Sequence, residues 1–218
     1  MSIALFTLLA VAAFPPAPTH VDIALPTGDH HGIYLTEAEH QAAKKRYGDS
    51  PWATTIGDSL KKTADQYVRA ELDIPRAGGQ WSHWYTCKKE GGRLNAETPT
   101  RHVCQSCGEV YSGFPYDEVY VTFRHSYWLR GIESLGMAYA VEPKPEYAAK
   151  VREILLDYAS FYETLPLHDY KGKESAKGAR LYAQTLDESV SLCSLIFGYD
   201  LVYDAACFSP DDHATIAD

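Results

Sequence analysis

The sequence predicts an all-α protein, an array of antiparallel helical hairpins interrupted by one irregular, cysteine-containing lobe. Three observations lead there. Helix-start signals recur at Thr36-Glu37-Ala38-Glu39, Ser50-Pro51 and Ser209-Pro210. From Tyr116 onward, apolar residues return at helical spacing. A glycine pair, prolines and three of the five cysteines crowd instead between Gln80 and Pro115.

The chain begins with an apolar run, Ile3 to Phe14, which is too short to span a bilayer. Small residues at Ala10, Ala12 and Ala13 offer a cleavage site, so residues 1–18 read as a secretory signal peptide and the protein as exported, periplasmic or extracellular. No basic residue precedes the run. Residues 19–79 hold a polar linker and two helices. Thr36 and Glu39 form a capping box for the first, which should end near Gly48. Ser50 as N-cap and Pro51 at the first helical position start the second, which should run to about Leu72.

Residues 80–116 form the lobe, with short strands expected at His102-Val103 and Glu109-Val110-Tyr111. Residues 117–218 return to helices. Tyr120, Phe123, Tyr127, Ile132 and Leu135 trace one stripe, broken by Pro143 and Pro145. Tyr147, Val151, Ile154, Leu155, Tyr158 and Tyr162 trace the next. After a turn region from Pro166 to Lys173, a long helix is expected from about Ser175 to Asp204, with Leu181, Leu186, Leu192, Ile196 and Tyr199 on one side. Ser209-Pro210-Asp211-Asp212 then announces a helix less than three turns before Asp218. This leads us to expect the N-terminal piece of a longer domain. Short connections between successive helices make neighbours antiparallel.

Composition narrows the function classes. The formal net charge of -9 disfavours a nucleic-acid partner, whose phosphates demand neutralisation. Sixteen tyrosines and four tryptophans supply rings with a flat apolar face and a polar tip, which suits sugar-binding clefts as well as cores.

The lobe carries a metal-binding pattern. Sixteen residues separate Cys87 from Cys104, the spacing of two zinc knuckles, and Cys104-Gln105-Ser106-Cys107 is a complete knuckle followed by Gly108. The first knuckle reads Cys87-Lys88-Lys89-Glu90, with glutamate in the fourth cysteine's place. Cys87, Cys104 and Cys107 are therefore candidate ligands of a structural zinc, with Glu90, His102 or His83 as the fourth. A disulfide or a metal-free lobe are the alternatives. Cys193 reads as a small core residue on a helical apolar face.

These residues also carry a resemblance. His83-Trp84-Tyr85, Arg101-His102-Val103-Cys104-Gln105-Ser106-Cys107-Gly108, Tyr111-Ser112-Gly113 and Pro115-Tyr116-Asp117 are followed by Leu135-Gly136-Met137-Ala138-Tyr139 and Glu153-Ile154-Leu155-Leu156-Asp157-Tyr158-Ala159. From about Trp81 onward this resembles the N-terminal half of the heparinase II/III-like polysaccharide lyases, which include alginate-lyase-type members. The resemblance implies a partial (α/α) toroid, export, and β-elimination on uronic-acid polysaccharides, with an acidic polysaccharide as partner and no membrane association after signal cleavage. The family's Asn- and His-containing catalytic helix has no counterpart here; the single asparagine is Asn95. No catalytic residue is therefore assigned, and the polypeptide alone is expected to be inactive.

Candidate substrate-binding residues are Arg180, Gln184 and Glu188, taken with Asp187 as a polar run on the last long helix, together with His125 and Tyr127. A solvated or hydrogen-bonded structural face is the plainer reading of each. The competing function is a non-catalytic carbohydrate-binding or scaffold domain. A glycosidase using Asp187 and Glu188 is disfavoured, because adjacent helical residues point about 100° apart.

Overall fold

Side-chain chemistry sets where the helices begin. Thr36 caps α1 (Glu37–Asp49): its hydroxyl accepts the Glu39 amide while the Glu39 carboxylate accepts the Thr36 amide at 3.0 Å. Pro51 opens α2 (Pro51–Arg69), but Ser50 sits at the N-cap position without a side-chain capping bond. The helix stops at Arg69 rather than near Leu72, since Ala70 already has extended backbone. Lys61 of α2 binds the Tyr47 hydroxyl and the Glu142 carboxylate, tying the first hairpin to the far end of the helix that follows the lobe. The computed structural model describes residues 32–33 and 35–218. The leader expected at residues 1–18 lies outside the described residues. No helix among the described residues is long and apolar enough to cross a membrane.

The lobe is more regular than the sequence suggests. Three antiparallel strands, β1 (Leu94–Thr98), β2 (Arg101–Cys104) and β3 (Val110–Tyr111), lie in the order β1-β2-β3. Leu94 faces Cys104, and His102 faces Tyr111. The first strand has no strong β signature, and pairing with β2 is what forms it. Tyr85, Cys87, Leu94 and Cys104 make a small core that continues into Tyr116 and Val119 of α3 (Tyr116–Val141).

α3 is the axis of the molecule. Its buried face runs through Val119, Thr122, His125, Trp128, Leu129, Ile132, Leu135 and Ala138. Of the stripe expected at Tyr120, Phe123, Tyr127, Ile132 and Leu135, the last two are buried, Tyr120 and Tyr127 are half-buried, and Phe123 is exposed. The sequence reading favoured the aromatics; the fold instead buries two polar residues that find partners, Thr122 on the Gln80 carbonyl and His125 on the Ala77 carbonyl. α4 (Pro145–Ala159) buries Tyr147, Val151, Ile154, Leu155 and Tyr158, the residues its spacing selects.

The long helix expected from Ser175 begins only at Thr185. α5 spans Thr185–Asp200, and residues 175–184 are irregular. The segment instead pairs with His168 through reciprocal amide–carbonyl bonds to Ala179, and Gly178 permits it, since a Cβ there would lie 2.0 Å from the His168 carbonyl oxygen. Arg180 and Gln184 are consequently off the helix. Of the apolar side expected on this helix, Leu181 is buried and Leu192 and Tyr199 are half-buried, but Leu186 and Ile196 are exposed, and Cys193 is an exposed thiol rather than a core residue. α6 (Pro210–Ala217) starts on a complete capping box between Ser209 and Asp212. The same Asp212 takes both nitrogens of the Arg152 fork, at 2.6 and 3.0 Å, which holds α6 against α4. Six α-helices and one small sheet, with two single-turn 3-10 segments, make up the regular structure among the described residues.

α3 and α5 meet backbone to backbone. A Cβ on Gly136 would lie 2.6 Å from the Gly198 carbonyl oxygen, and a Cβ on Gly198 would lie 2.4 Å from that of Ile132. Gly48 in α1, by contrast, faces open space. Gly136→Ala or Gly198→Ala should therefore destabilise the protein by about 1–3 kcal/mol through overpacking. Gly48→Ala should be neutral or gain about 0.5–1 kcal/mol from helix propensity. Denaturant unfolding of the three variants measures the contrast.

Candidate functional site

The residues expected to meet a substrate are mostly held by the protein itself. His125 is fully buried. Its Nε2 lies 2.9 Å from the Ala77 carbonyl, which can only accept, so that nitrogen carries the proton and Nδ1 accepts from the Tyr158 hydroxyl at 3.1 Å. Burial lowers the His125 pKa, keeping the ring neutral. Tyr127 packs against Tyr67 and Trp128, with the Arg124 guanidinium over its ring. Arg180 donates to the carbonyls of Glu163 and Leu165 and lies over Tyr162. Gln184 is the N-cap residue of α5 and donates to Asp187 at 2.9 Å.

Glu188 is the most heavily used of the set. It is 6% exposed. One carboxylate oxygen accepts the Tyr162 hydroxyl at 2.6 Å, and the other accepts the amides of Leu181 at 2.7 Å and Tyr182 at 3.2 Å. It thereby satisfies buried amides in the irregular segment ahead of its own helix. Desolvation first, and then this hydrogen bond, push the Tyr162 hydroxyl upward in pKa, so it holds its proton.

The cysteines do converge. The Sγ atoms of Cys87, Cys104 and Cys107 lie within 4.8 Å of one another. Cys87 and Cys107 are 3.7 Å apart, far beyond a disulfide bond. All five cysteines are free thiols. A tetrahedron with metal–sulfur bonds of about 2.3 Å has edges of about 3.8 Å, so this separation fits a zinc–thiolate site. The Tyr111 hydroxyl sits 3.2 Å from the Cys87 sulfur while accepting the Lys88 amide, and the Glu90 amide also points at that sulfur, at 3.3 Å. The Tyr111 bond is the main cause of the Cys87 thiol falling to about 7. His102 does not join the cluster. Its Nε2 binds Asp117 at 2.9 Å and its Nδ1 binds the Tyr85 hydroxyl at 2.7 Å, so both nitrogens are engaged in pinning the lobe to α3. His83 is exposed and stands edge-on to Trp81.

The structure assembles one feature that the sequence reading missed. Trp81 and Trp84, on the first turn of the lobe, meet Tyr170 from the 166–174 loop, and Trp84 also meets Phe114. Phe114 is 50% and Tyr170 42% exposed. Lys171 and Lys173 of the same loop are exposed, and the Lys171 ammonium lies 5.5 Å from the Tyr170 ring. The result is an aromatic wall with a cation at its edge. Its parts come from three distant segments, and only the local density of Trp and Tyr near residues 81–85 hinted at it. Cavities lie elsewhere among the described residues. One of about 530 Å³ is apolar, lined by Leu155, Leu192, Leu195 and Ile216. Another of about 480 Å³ is more polar, lined by His40, Lys44 and Asp204.

Comparison with known proteins finds no matching family model. The chain is 33% identical over 209 residues to an alginate lyase of Stenotrophomonas maltophilia, a match that takes in 96% of this chain and 22% of the relative. It is 34% identical over 139 residues to an exo-oligoalginate lyase of Saccharophagus degradans, covering 63% of this chain and 18% of the relative. The chain thus spans about a fifth of the length of these curated relatives. The two similarities support a relationship to polysaccharide lyases.

Glu188→Ala leaves three donors without their acceptor and should cost about 3 kcal/mol or more of stability, with Glu188→Gln recovering only part. A stability unchanged in Glu188→Ala would contradict the structural role. His125 adds a pH dependence. Its pKa is depressed in the fold, so the unfolded chain binds the proton more readily. His125 therefore favours the folded state above the ordinary histidine value of 6.5, and stability falls as pH drops below it. Denaturant midpoints between about pH 7.5 and 5.5 should decline less steeply in His125→Gln than in the parent.

Proposed function

We propose that this chain is the helical part of an exported polysaccharide lyase that cleaves a uronic-acid polysaccharide by β-elimination. The identity of 33% to an alginate lyase, sustained over 96% of the chain, carries the reading. In it, the hairpins belong to a partial (α/α) toroid of the heparinase II/III-like kind, and the substrate is an acidic polysaccharide such as alginate. The aromatic wall adds physical support: ring faces suit the C–H faces of sugars, and Lys171 and Lys173 suit their carboxylates.

β-Elimination needs three services. A neutralising group stabilises negative charge on the uronate carboxylate, a base removes the proton from the adjacent ring carbon, and an acid protonates the departing glycosidic oxygen as the new double bond forms. The histidines and tyrosines gathered in this core are poor bases. His125 and His102 spend both nitrogens on structural bonds, and burial pushes the Tyr158 and Tyr162 hydroxyls up. In this reading the polypeptide contributes binding surface, and the proton-transfer groups are not among its residues. The same reading includes a structural zinc held by Cys87, Cys104 and Cys107, whose role is to rigidify the lobe that carries one side of the wall. The wall also favours a second reading, a carbohydrate-binding domain without catalysis.

Alginate titrated into the purified chain should give saturable tryptophan quenching that weakens as salt rises. No ultraviolet absorbance from unsaturated uronate should appear. Trp84→Ala and Tyr170→Ala should each weaken binding about tenfold. Turnover by this polypeptide alone would refute the exclusion of its residues from proton transfer. Failure to bind alginate or any other uronate polysaccharide would remove the substrate class.

A further inference from the structure

The two halves of the lobe are built on the same backbone turn. In the complete knuckle, the Cys104 amide donates to the Glu109 carbonyl at 2.8 Å and the Gly108 amide to the Cys104 carbonyl at 2.9 Å. In the incomplete one, the Cys87 amide donates to the Gly92 carbonyl at 2.8 Å and the Gly91 amide to the Cys87 carbonyl at 2.8 Å. Each turn closes on a glycine in the left-handed region, Gly91 at φ 67° and Gly108 at φ 73°. Position 90 in the first turn therefore matches position 107 in the second, bond for bond. The first turn thus has the backbone of the complete knuckle, with a glutamate at the position where the second turn has Cys107.

We infer that the Glu90 carboxylate is the fourth ligand of this site, which would then hold a divalent zinc-like ion as Cys3Glu. The inference rests on the zinc reading above and says what completes it. Glu90 is tied to the cluster through its own amide, which points at the Cys87 sulfur at 3.3 Å. Its side chain is exposed and can turn inward by a rotamer change when a metal with an open vertex is present. Two other candidates are engaged, His102 by Tyr85 and Asp117 and the Tyr111 hydroxyl by the Lys88 amide and the Cys87 sulfur; the exposed His83 precedes Cys87 and lies outside the knuckle turn that places position 90. Carboxylate oxygen bonds zinc at about 2.0–2.2 Å but is harder than thiolate. The Glu90 corner is consequently the weakest and most exchangeable of the four.

Cobalt(II) titrated into the reduced full chain reads this directly, because thiolate charge-transfer intensity counts sulfur ligands and the visible bands report tetrahedral geometry. The parent should show a tetrahedral three-thiolate spectrum. Glu90→Cys should raise the charge-transfer band by about a third, as a fourth thiolate joins. Glu90→Ala should alter the visible bands and weaken cobalt binding at least about tenfold, the scale set by loss of even an outer-shell partner. Far-UV circular dichroism checks that the variants stay folded. If the parent shows the three-thiolate spectrum and Glu90→Ala matches it in bands and affinity, Glu90 is not the ligand while the zinc reading stands. If the parent shows no thiolate band, both fall.

Discussion

The contact of Gly136 with Gly198 sets the geometry on which the rest of the molecule depends. Two helices can touch backbone to backbone only where neither carries a side chain, and a Cβ on either glycine would meet a carbonyl at 2.6 Å or less. This fixes how closely α5 lies on α3. From that position Glu188 reaches back to the amides of Leu181 and Tyr182 and to the Tyr162 hydroxyl. The segment before α5 is thereby held against the segment before the lobe, where Gly78 and Gly79 again allow a close approach, to His168 and Thr122. Tyr170 reaches Trp81 and Trp84 as the end of that chain of contacts.

Buried polar groups serve as connectors throughout. His125 joins α3 to the Ala77 carbonyl and to Tyr158 of α4, and His102 joins the sheet to α3 through Asp117. Each is satisfied at both nitrogens, as burial demands. A side chain consumed in this way has nothing left to offer a ligand. Groups that stay exposed include the rings of Phe114 and Tyr170 and the side chains of Lys171 and Glu90.

The lobe and the wall are mechanically one unit. Trp81 and Trp84 lie in the turn leading directly into the Cys87 knuckle, and Phe114 follows the last strand. A metal that clamps both knuckles would stiffen the base from which three of the four rings project. On the proposed reading the aromatic surface and a metal held by the cysteines would share a physical rationale, since a pre-ordered surface loses less entropy when a sugar chain binds.

The start signals of α1 and α6, the apolar face of α4 and the cysteine knuckle were legible in the sequence, because each is written in residues within a few positions of one another. Capping boxes, periodic burial and a two-cysteine turn are local matters of reach and spacing. The true burial face of α3, the late start of α5, the first strand of the lobe and the aromatic wall were not legible. Each depends on a partner far away in the chain: the Gln80 and Ala77 carbonyls for Thr122 and His125, the His168 backbone for residues 178–179, β2 for β1, and Tyr170 for Trp84. Only the folded chain supplies those partners, so only tertiary structure could show that Arg180, Gln184, Glu188 and His125 bond within the protein while Phe114 and Tyr170 stay exposed.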